Sequence, residues 1–390
     1  MKKILIITEY NPVGGSITFT RGLIHELEKN KNIQLTIIYF YDHRNKPDFP
    51  KNSKNKYLTI PLNTYNGTRI KILPKRIYLL HCCLSKLNNL KYDLVFTDLV
   101  YPTFSFQIAR LCHQNFRHLP IYYHIHGSFF EETKSQEFNG KTSNFQQTIK
   151  YKILYFLEHF ALKHCQKIFT NSVYSKKFTQ KIHGNLALEI NRPGIDFSFP
   201  LSAKKLNIFS AKRKNCLNPN HKHILFVSRI EPLKGITSFF ENITPYLKQF
   251  PSVKFIVCSH FIESSFLYDF LEKLDQSKLG SQVLLVNSPS RSQLALLYRA
   301  ADVTVMPSIN LETFGFSTLE SYYYHTPVVA FDIGANSELI PSSHLVKYPS
   351  KDSWPKLYQK INYVLRHPDT IDYSQYNYSW KGYVKKMLEK

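Results

Sequence analysis

Two glutamates eight positions apart, Glu312 and Glu320, bracket the stretch NLETFGFSTLE. Between them lie an aromatic–glycine–aromatic triplet, Phe314-Gly315-Phe316, and a Ser-Thr pair. One chemistry for this spacing is helix capping. Ser317-x-x-Glu320 has the S-x-x-E form, in which the glutamate reaches back to the amide of the capping serine. With Pro327 downstream, that predicts a helix starting near Ser317 and stopping before the proline. Capping gives Gly315 and Glu312 nothing to do, and a second chemistry uses both. A glycine at a helix start lets backbone N–H groups approach an anion, which the helix N-terminus favours. A rise of about 1.5 Å per residue puts the two carboxylates on the order of 12 Å apart. That suits two groups gripping the hydroxyls of a hexose and a ribose on either side of a diphosphate.

Other loops carry compatible chemistry. In VSRIEPLKG, Arg229 ends an apolar run and Lys234 precedes a glycine. Two cations around one turn can converge on a diphosphate, the arginine through its fork and the lysine as a point charge; the alternative is a pair of surface cations. In HIHGSFFEE, His126-Gly127 follows an apolar run, with His124 two residues earlier on the same strand face. A neutral imidazole there can hydrogen-bond a sugar hydroxyl or a developing charge; the alternative is a structural histidine. Gly14-Gly15 opens the first helical pattern, where backbone amides can approach an anion, although this is not the G-x-G-x-x-G of dinucleotide sites. Asn287 and Ser288 end the run QVLLVNS, where a flat base could lie against backbone.

These loops recur because the elements recur. KKILIIT, IQLTIIYFY, YDLVFTD, IYYHIHG and KIFTNS read as strands, separated by amphipathic stretches that include a long helix near 147–164. After a Pro-containing, basic stretch at 192–222 the pattern restarts with HILFVSRI, VKFIVCS, QVLLVNS, DVTVMPS and PVVAFD. Alternating β and α segments imply parallel sheets covered by helices on both faces. The predicted architecture is α/β, two Rossmann-like domains facing each other across a cleft. The domains are expected at 1–200 and 223–365, joined by a linker at 201–222, with a C-terminal helix in 366–390. Ligands of open α/β sheets sit beyond the carboxyl ends of the strands, which is where every motif above falls.

At 390 residues and 43% hydrophobic content the chain can bury two cores. Fifty-one Lys/Arg against 28 Asp/Glu give a net charge of +23. Residues 1–200 hold 28 basic and 13 acidic residues, so +15, and residues 201–390 hold 23 and 15, so +8. Such a balance points to an anionic partner: nucleic acid, an anionic membrane surface or a phosphorylated substrate. AT-rich coding would also raise Lys, Asn, Ile, Tyr and Phe. The segment 68–92, TRIKILPKRIYLLHCCLSKLNNLKY, interleaves cations with apolar residues and is expected to lie on an anionic membrane. Six cysteines without CxxC spacing fit a reduced, cytoplasmic protein. The opening MKKILIITEY has too short an apolar run for a signal peptide and reads as a strand. No apolar run approaches a membrane span.

Taken together, these motifs resemble the retaining GT-B glycosyltransferases of the GT4 group. The elements that carry the resemblance are E-x7-E at Glu312 and Glu320, Arg229 with Lys234-Gly235, His126-Gly127, Gly14-Gly15 and the RPGID turn at 192–196. The resemblance implies that Arg229 and Lys234 hold the diphosphate of a nucleotide-sugar, a UDP-sugar being the expected donor. It implies that Glu312 binds the donor sugar, that backbone at Phe314, Gly315, Phe316 and Ser317 meets the sugar and distal phosphate, and that Glu320 binds the ribose. His126 would line the sugar site, Gly14 and Gly15 would close over the phosphates, Asn287 would lie by the base, and YNYSWKGYVKKMLEK would be the helix that returns to the N-terminal domain. The chain departs from the family at Cys258-Ser259-His260 and at Asn287-Ser288, where glycines are usual. No cofactor and no metal is expected: D-x-D is absent, and cations with a helix start can neutralise a leaving diphosphate. The implied acceptor is a saccharide or lipid-linked hydroxyl in bacterial surface-glycan synthesis. Rival readings are a basic nucleic-acid-binding protein, a GT-B-shaped epimerase or phosphorylase, and a catalytically silent subunit.

Overall fold

The computed structural model describes residues 1–10, 15–42, 47, 54–62, 70–128, 145–195, 200–261, 264–310, 312–367, 373–376 and 378–389. The chain forms two compact units. The first comprises Met1–Pro193 with Trp380–Lys390, and the second comprises Gly194–Ser379.

In the first unit the order is β1 (Lys2–Tyr10), α1 (Gly15–Lys29), β2 (Ile33–Asp42), β3 (Lys56–Leu62), α2 (Leu73–Ser85), β4 (Leu94–Thr97), α3 (Val100–Ala109), α4 (Gln114–Arg117), β5 (Ile121–Ile125), α5 (Phe145–Lys163), β6 (Lys167–Thr170), α6 (Val173–His183) and β7 (Leu188–Ile190). The seven strands pair in the order β3-β2-β1-β4-β5-β6-β7, every pair parallel. The central strands are apolar throughout because both faces are covered: Ile4, Leu5, Ile6 and Ile7 are all buried. The last helix of the chain, α15 (Trp380–Leu388), packs on α1 and buries Trp380, Tyr383 and Met387.

The second unit follows the same logic: α7 (Leu201–Lys204), α8 (Ile208–Lys214), β8 (Lys222–Val227), α9 (Ile236–Gln249), β9 (Val253–Ser259), α10 (Ser265–Ser277), β10 (Val283–Asn287), α11 (Arg291–Ala300), β11 (Val303–Met306), α12 (Phe316–Tyr323), β12 (Val328–Phe331), α13 (Asn336–Leu339), β13 (Leu345–Val346) and α14 (Ser353–Arg366). Its six strands pair in parallel in the order β10-β9-β8-β11-β12-β13. A core of Phe239, Phe240, Phe255 and Phe270 fills one face of the sheet.

Three features differ from the sequence reading. Residues 201–222 are not an open linker. They hold α7 and α8, which pack on α11. Ala211 is buried there, and so is Lys212, whose ammonium meets Asp302 at 2.8 Å. The segment 68–92 is only half exposed: Lys71, Lys75, Tyr78 and Lys86 face outward, while the other side is packed. Within α2, Leu73, Leu80 and Leu84 are buried, and so is Arg76, which pairs with Glu9 and lies over the rings of Phe40 and Tyr101. Residues 68 and 69 of that stretch lie outside the described residues. Within 366–390, helix α15 begins only at Trp380.

In each sheet the strand order reverses once, between β1 and β4 in the first unit and between β8 and β11 in the second. Such switch points open a crevice at the carboxyl ends of the two strands, because the following helices go to opposite faces. The loops after β1, β4, β8 and β11 are therefore the places where each unit can hold a ligand.

Candidate active site

In the second unit the loop after β8 runs through Arg229 to a turn at Pro232–Lys234 and into α9. Gly235, at the junction, has φ +69°, and a Cβ there would stand 2.0 Å from the carbonyl oxygen of Pro307, just after β11. Only glycine allows this approach. The two switch-point loops are also tied by Ile309 N–H to the Leu233 carbonyl at 3.0 Å. The contact delivers Lys234 to Glu312: Nζ lies 3.1 Å from Oε2, across 78 positions of sequence. Both groups are only partly exposed, so the charges attract more strongly than on an open surface.

Glu312 is held from behind. Its carbonyl accepts from the Ala335 amide at 2.7 Å. Gly334, at φ +63°, lies so close that a Cβ would stand 2.2 Å from the same carbonyl oxygen. The sequence reading did not single out Gly334-Ala335. The signal available was a glycine just after the run PVVAFD, in the position of a strand-end loop.

Helix α12 starts one residue before the predicted place, at Phe316, with Gly315 in the left-handed conformation before it. The S-x-x-E capping box does not form. Ser317 Oγ instead donates to the Val227 carbonyl at the end of β8, at 3.1 Å. Glu320 turns inward: the Tyr298 hydroxyl donates to one carboxylate oxygen at 2.9 Å, and Arg291 lies 3.3 Å from the other. The physical reason is burial. A buried carboxylate needs hydrogen-bond donors and a cation more than the turn needs a cap. Burial pushes the Glu320 carboxyl above its ordinary range, against the pull of Arg291 and Tyr298. The first-turn amides of α12 have no acceptor within the helix, as at any helix start. Serine pins that start to β8. A reciprocal capping box does form on α11, between Ser290 and Gln293, from an S-x-x-Q the sequence reading passed over. It fixes the helix that carries Arg291.

Arg229 is not drawn to Glu312 or Glu320. Its guanidinium pairs with Glu231 at 2.6 Å at an exposed position. Asn287 ends β10, and its carboxamide oxygen accepts from the Phe261 amide at 3.0 Å and from Ser288 Oγ at 2.9 Å. Ser288 takes φ +48°, and its hydroxyl lies 2.5 Å from His260 Nδ1. The two departures from the expected glycines are therefore bonded to each other, and they latch the loops after β9 and β10.

In the first unit, Gly15 is the first residue of α1, and Gly14 lies outside the described residues. His126 follows β5. Its Nε2 is 3.9 Å from Asp98 Oδ2. Asp98 follows β4, at the switch point, and its buried carboxylate accepts from Thr8 at 2.7 Å and Thr20 at 2.5 Å. Asp98 was not among the sequence candidates, although YDLVFTD ends on it. His124 is fully buried. Its Nδ1 accepts from the Tyr383 hydroxyl of α15 at 2.8 Å, while Nε2 meets Asn171 Oδ1 at 2.5 Å. Burial, then the neighbouring His126, hold its pKa well below the ordinary imidazole value, so it is the neutral ring that sits there. The rings of Phe19 and His124 stack at 4.2 Å, and Phe19 meets His126 edge-on at 4.8 Å.

Among known families, residues 207–380 match the glycosyl transferases group 1. All the second-unit residues above, from Arg229 to Ala335, lie inside the glycosyl transferase match. A curated relative, a D-inositol 3-phosphate glycosyltransferase of Segniliparus rotundus, is 27% identical over 187 residues, 47% of this chain and 40% of the relative. The match thus spans well under half of that relative's length. Among solved structures, sucrose-phosphate synthase of Thermosynechococcus elongatus aligns over 99% of this chain and 97% of its own, with TM-score 0.78 and 18% identity. HepE of Anabaena, in complex with UDP and glucose, aligns over 99% and 98% with TM-score 0.69 and 16% identity. The fold is thus that of GT-B glycosyltransferases, with two Rossmann-like α/β units.

Proposed function

We propose that the protein is a retaining, metal-independent hexosyltransferase. It moves a hexose from a nucleoside-diphosphate sugar to a hydroxyl of a saccharide or lipid-linked acceptor, in bacterial surface-glycan synthesis. The observation that carries this reading is the Lys234–Glu312 pair at the β8/β11 switch point, directly before the helix start at Gly315. An ion pair beside free helix amides offers an anion and a polyol complementary partners. The phosphates take the lysine and the amides, and the sugar hydroxyls take the released carboxylate.

The mechanism follows from charge. As the C1–O bond to the diphosphate breaks, negative charge grows on the leaving oxygens and positive charge on the anomeric carbon. Lys234, the α12 amides and Arg229, once it leaves Glu231, stabilise the former without reorganising water. Glu312 orients the sugar. Glu320, held by Tyr298 and Arg291, keeps a fixed carboxylate for the ribose hydroxyls. Within the first unit we assign His126 to hydrogen-bonding a sugar hydroxyl, with Asp98 behind it to orient the ring. The acceptor hydroxyl attacks from the face the diphosphate leaves, and its proton passes to a diphosphate oxygen, so configuration is retained. UDP-sugars are the first donors to test, since HepE is bound to UDP and glucose. Peripheral attachment to an anionic membrane face belongs to the same proposal, because a lipid-linked acceptor has to be met there.

The test is a thermal-shift panel of UDP-, GDP- and ADP-sugars. Ligand at about 100 times its Kd stabilises by roughly 2.7 kcal/mol, so one base should raise the melting temperature by several degrees. The absence of a shift with every nucleotide-sugar would sink the reading.

A further inference from the structure

The segment 68–92 exposes lysines on one side but buries Leu73, Arg76, Leu80 and Leu84 on the other, and among its described residues Tyr78 is the one large apolar side chain left exposed; a broader apolar surface lies elsewhere. Helix α5 carries it. Ile149, Ile153 and Phe156 stand at i, i+4 and i+7, on one side of the helix, and are 44%, 38% and 57% exposed. At 1.5 Å per residue they form a ridge about 10 Å long. On the opposite side Tyr151, Leu154 and Leu157 pack into the core with α3 residues Phe104 and Val100. The helix is thus apolar on its inner face, as folding requires, and apolar again on its outer face, which folding does not require.

Among the described residues of α5 and α6, the exposed charges all have one sign. Lys152 and Lys163 on α5 are exposed, as are Lys177 and Lys181 on α6. Helix α6 packs beside α5: the rings of Tyr155 and His183 stack at 5.2 Å, and those of His159 and His183 at 5.6 Å. Lys176, two turns before His183, lies on the side of α6 that faces α5. The sequences of the two helices hold six lysines and one carboxylate, Glu158. That carboxylate is withdrawn from the surface, fully buried against His183 at 3.3 Å and Ser128 at 3.0 Å.

We propose that the outer face of α5, with the lysines of α5 and α6, is the surface that rests on an anionic lipid bilayer. This rests on the peripheral attachment proposed above and assigns it to a place. An exposed ridge of Ile and Phe flanked by lysines, on a helix lying along the surface, is the pattern of an interfacial helix: apolar groups enter the acyl boundary while lysine stems reach up to the phosphates. A second copy of the chain fits poorly. A two-fold contact would press these lysines against their own equivalents, with no exposed carboxylate among the described residues of either helix to answer them.

The test is co-sedimentation of the full chain with vesicles of phosphatidylcholine alone or with phosphatidylglycerol. The wild type should bind the anionic vesicles and release them at high salt. The double variant I153E/F156E should lower the partition coefficient on the order of tenfold or more, and Lys152→Glu about fivefold or more. Both should keep the circular dichroism and any nucleotide-sugar thermal shift of the wild type, since these side chains are exposed. A Tyr78→Glu control on α2 should bind as the wild type does. If the wild type ignores anionic vesicles, the attachment itself falls. If it binds and I153E/F156E binds equally, only the assignment to α5 falls. Sedimentation velocity showing a dimer that I153E/F156E dissociates, with vesicle binding unchanged, would assign the ridge to a second copy instead.

Discussion

The two units solve the switch-point problem with opposite electrostatics. In the second unit the polar groups at the strand ends are charged and paired with each other, Lys234 with Glu312 and Arg291 with Glu320. In the first, the corresponding groups form a buried network around Asp98 and a neutral His124, set by hydroxyls, ring stacking and the helix α15. A paired site can exchange a partner for a ligand of the same charge without ever leaving a buried charge uncompensated. A network of this second kind cannot. Its members hold each other in place, so it fixes the position of His126 rather than offering charge.

That contrast can be attacked from several sides. The largest effect should come from Trp380→Ala, which empties a fully buried indole site in the first unit and should cost about 3–5 kcal/mol. Calorimetry should show a lowered transition for the first unit while nucleotide-sugar still protects the second. Loss of that protection would show that the units are not independent in this respect. Lys234→Ala should reduce kcat by about 100-fold or more, with a melting temperature of the unliganded protein close to wild type, because a partly exposed ion pair contributes roughly 0–1 kcal/mol. Near-normal turnover would remove Lys234 from the reaction. Tyr383→Phe leaves His124 Nδ1 without its donor and should destabilise by about 1–3 kcal/mol. In that variant kcat should fall more than KM rises, and a change confined to stability would reduce the network to a structural one.

The smallest effect concerns pH. Burial raises the Glu320 carboxyl pKa in the folded protein. The folded state then holds its proton to higher pH than the unfolded chain does, so this group's contribution is full below the unfolded value of about 4.3 and declines as pH rises through the folded value. Glu320→Gln abolishes the titration. The melting temperature of the variant relative to wild type should therefore climb as pH rises above the unfolded value. A flat difference would mean that Arg291 and Tyr298 offset the burial completely.

Much of the fold was legible because the central strands are buried on both faces and read as unbroken apolar runs. The three strands missed, β3, β7 and β13, are all at sheet edges. KYLTIPL alternates instead of running apolar, while LEI and LV are too short to register. The GT-B fold and the group 1 motif set could be read from the loops. What could not be read was which partner each side chain takes. A capping box is a local pattern, and Glu320 left it for Tyr298 and Arg291, which no local pattern connects to it. The basic look of 68–92 was incomplete for the same reason. Charge in a sequence does not say which cation is buried, and Arg76 is.

Helix α15 has a consequence for how the chain is made. The first unit includes residues up to Pro193 and then resumes at Trp380. The intervening second unit must be synthesised before Trp380 and Tyr383 exist to close the pocket around Phe19 and His124. At about 5–20 residues per second on the ribosome, the interval is roughly 10–40 s. For that time the first unit presents an apolar seat with no occupant, while the second can already bury its own core. In order of translation the first unit begins first, but the second is complete first.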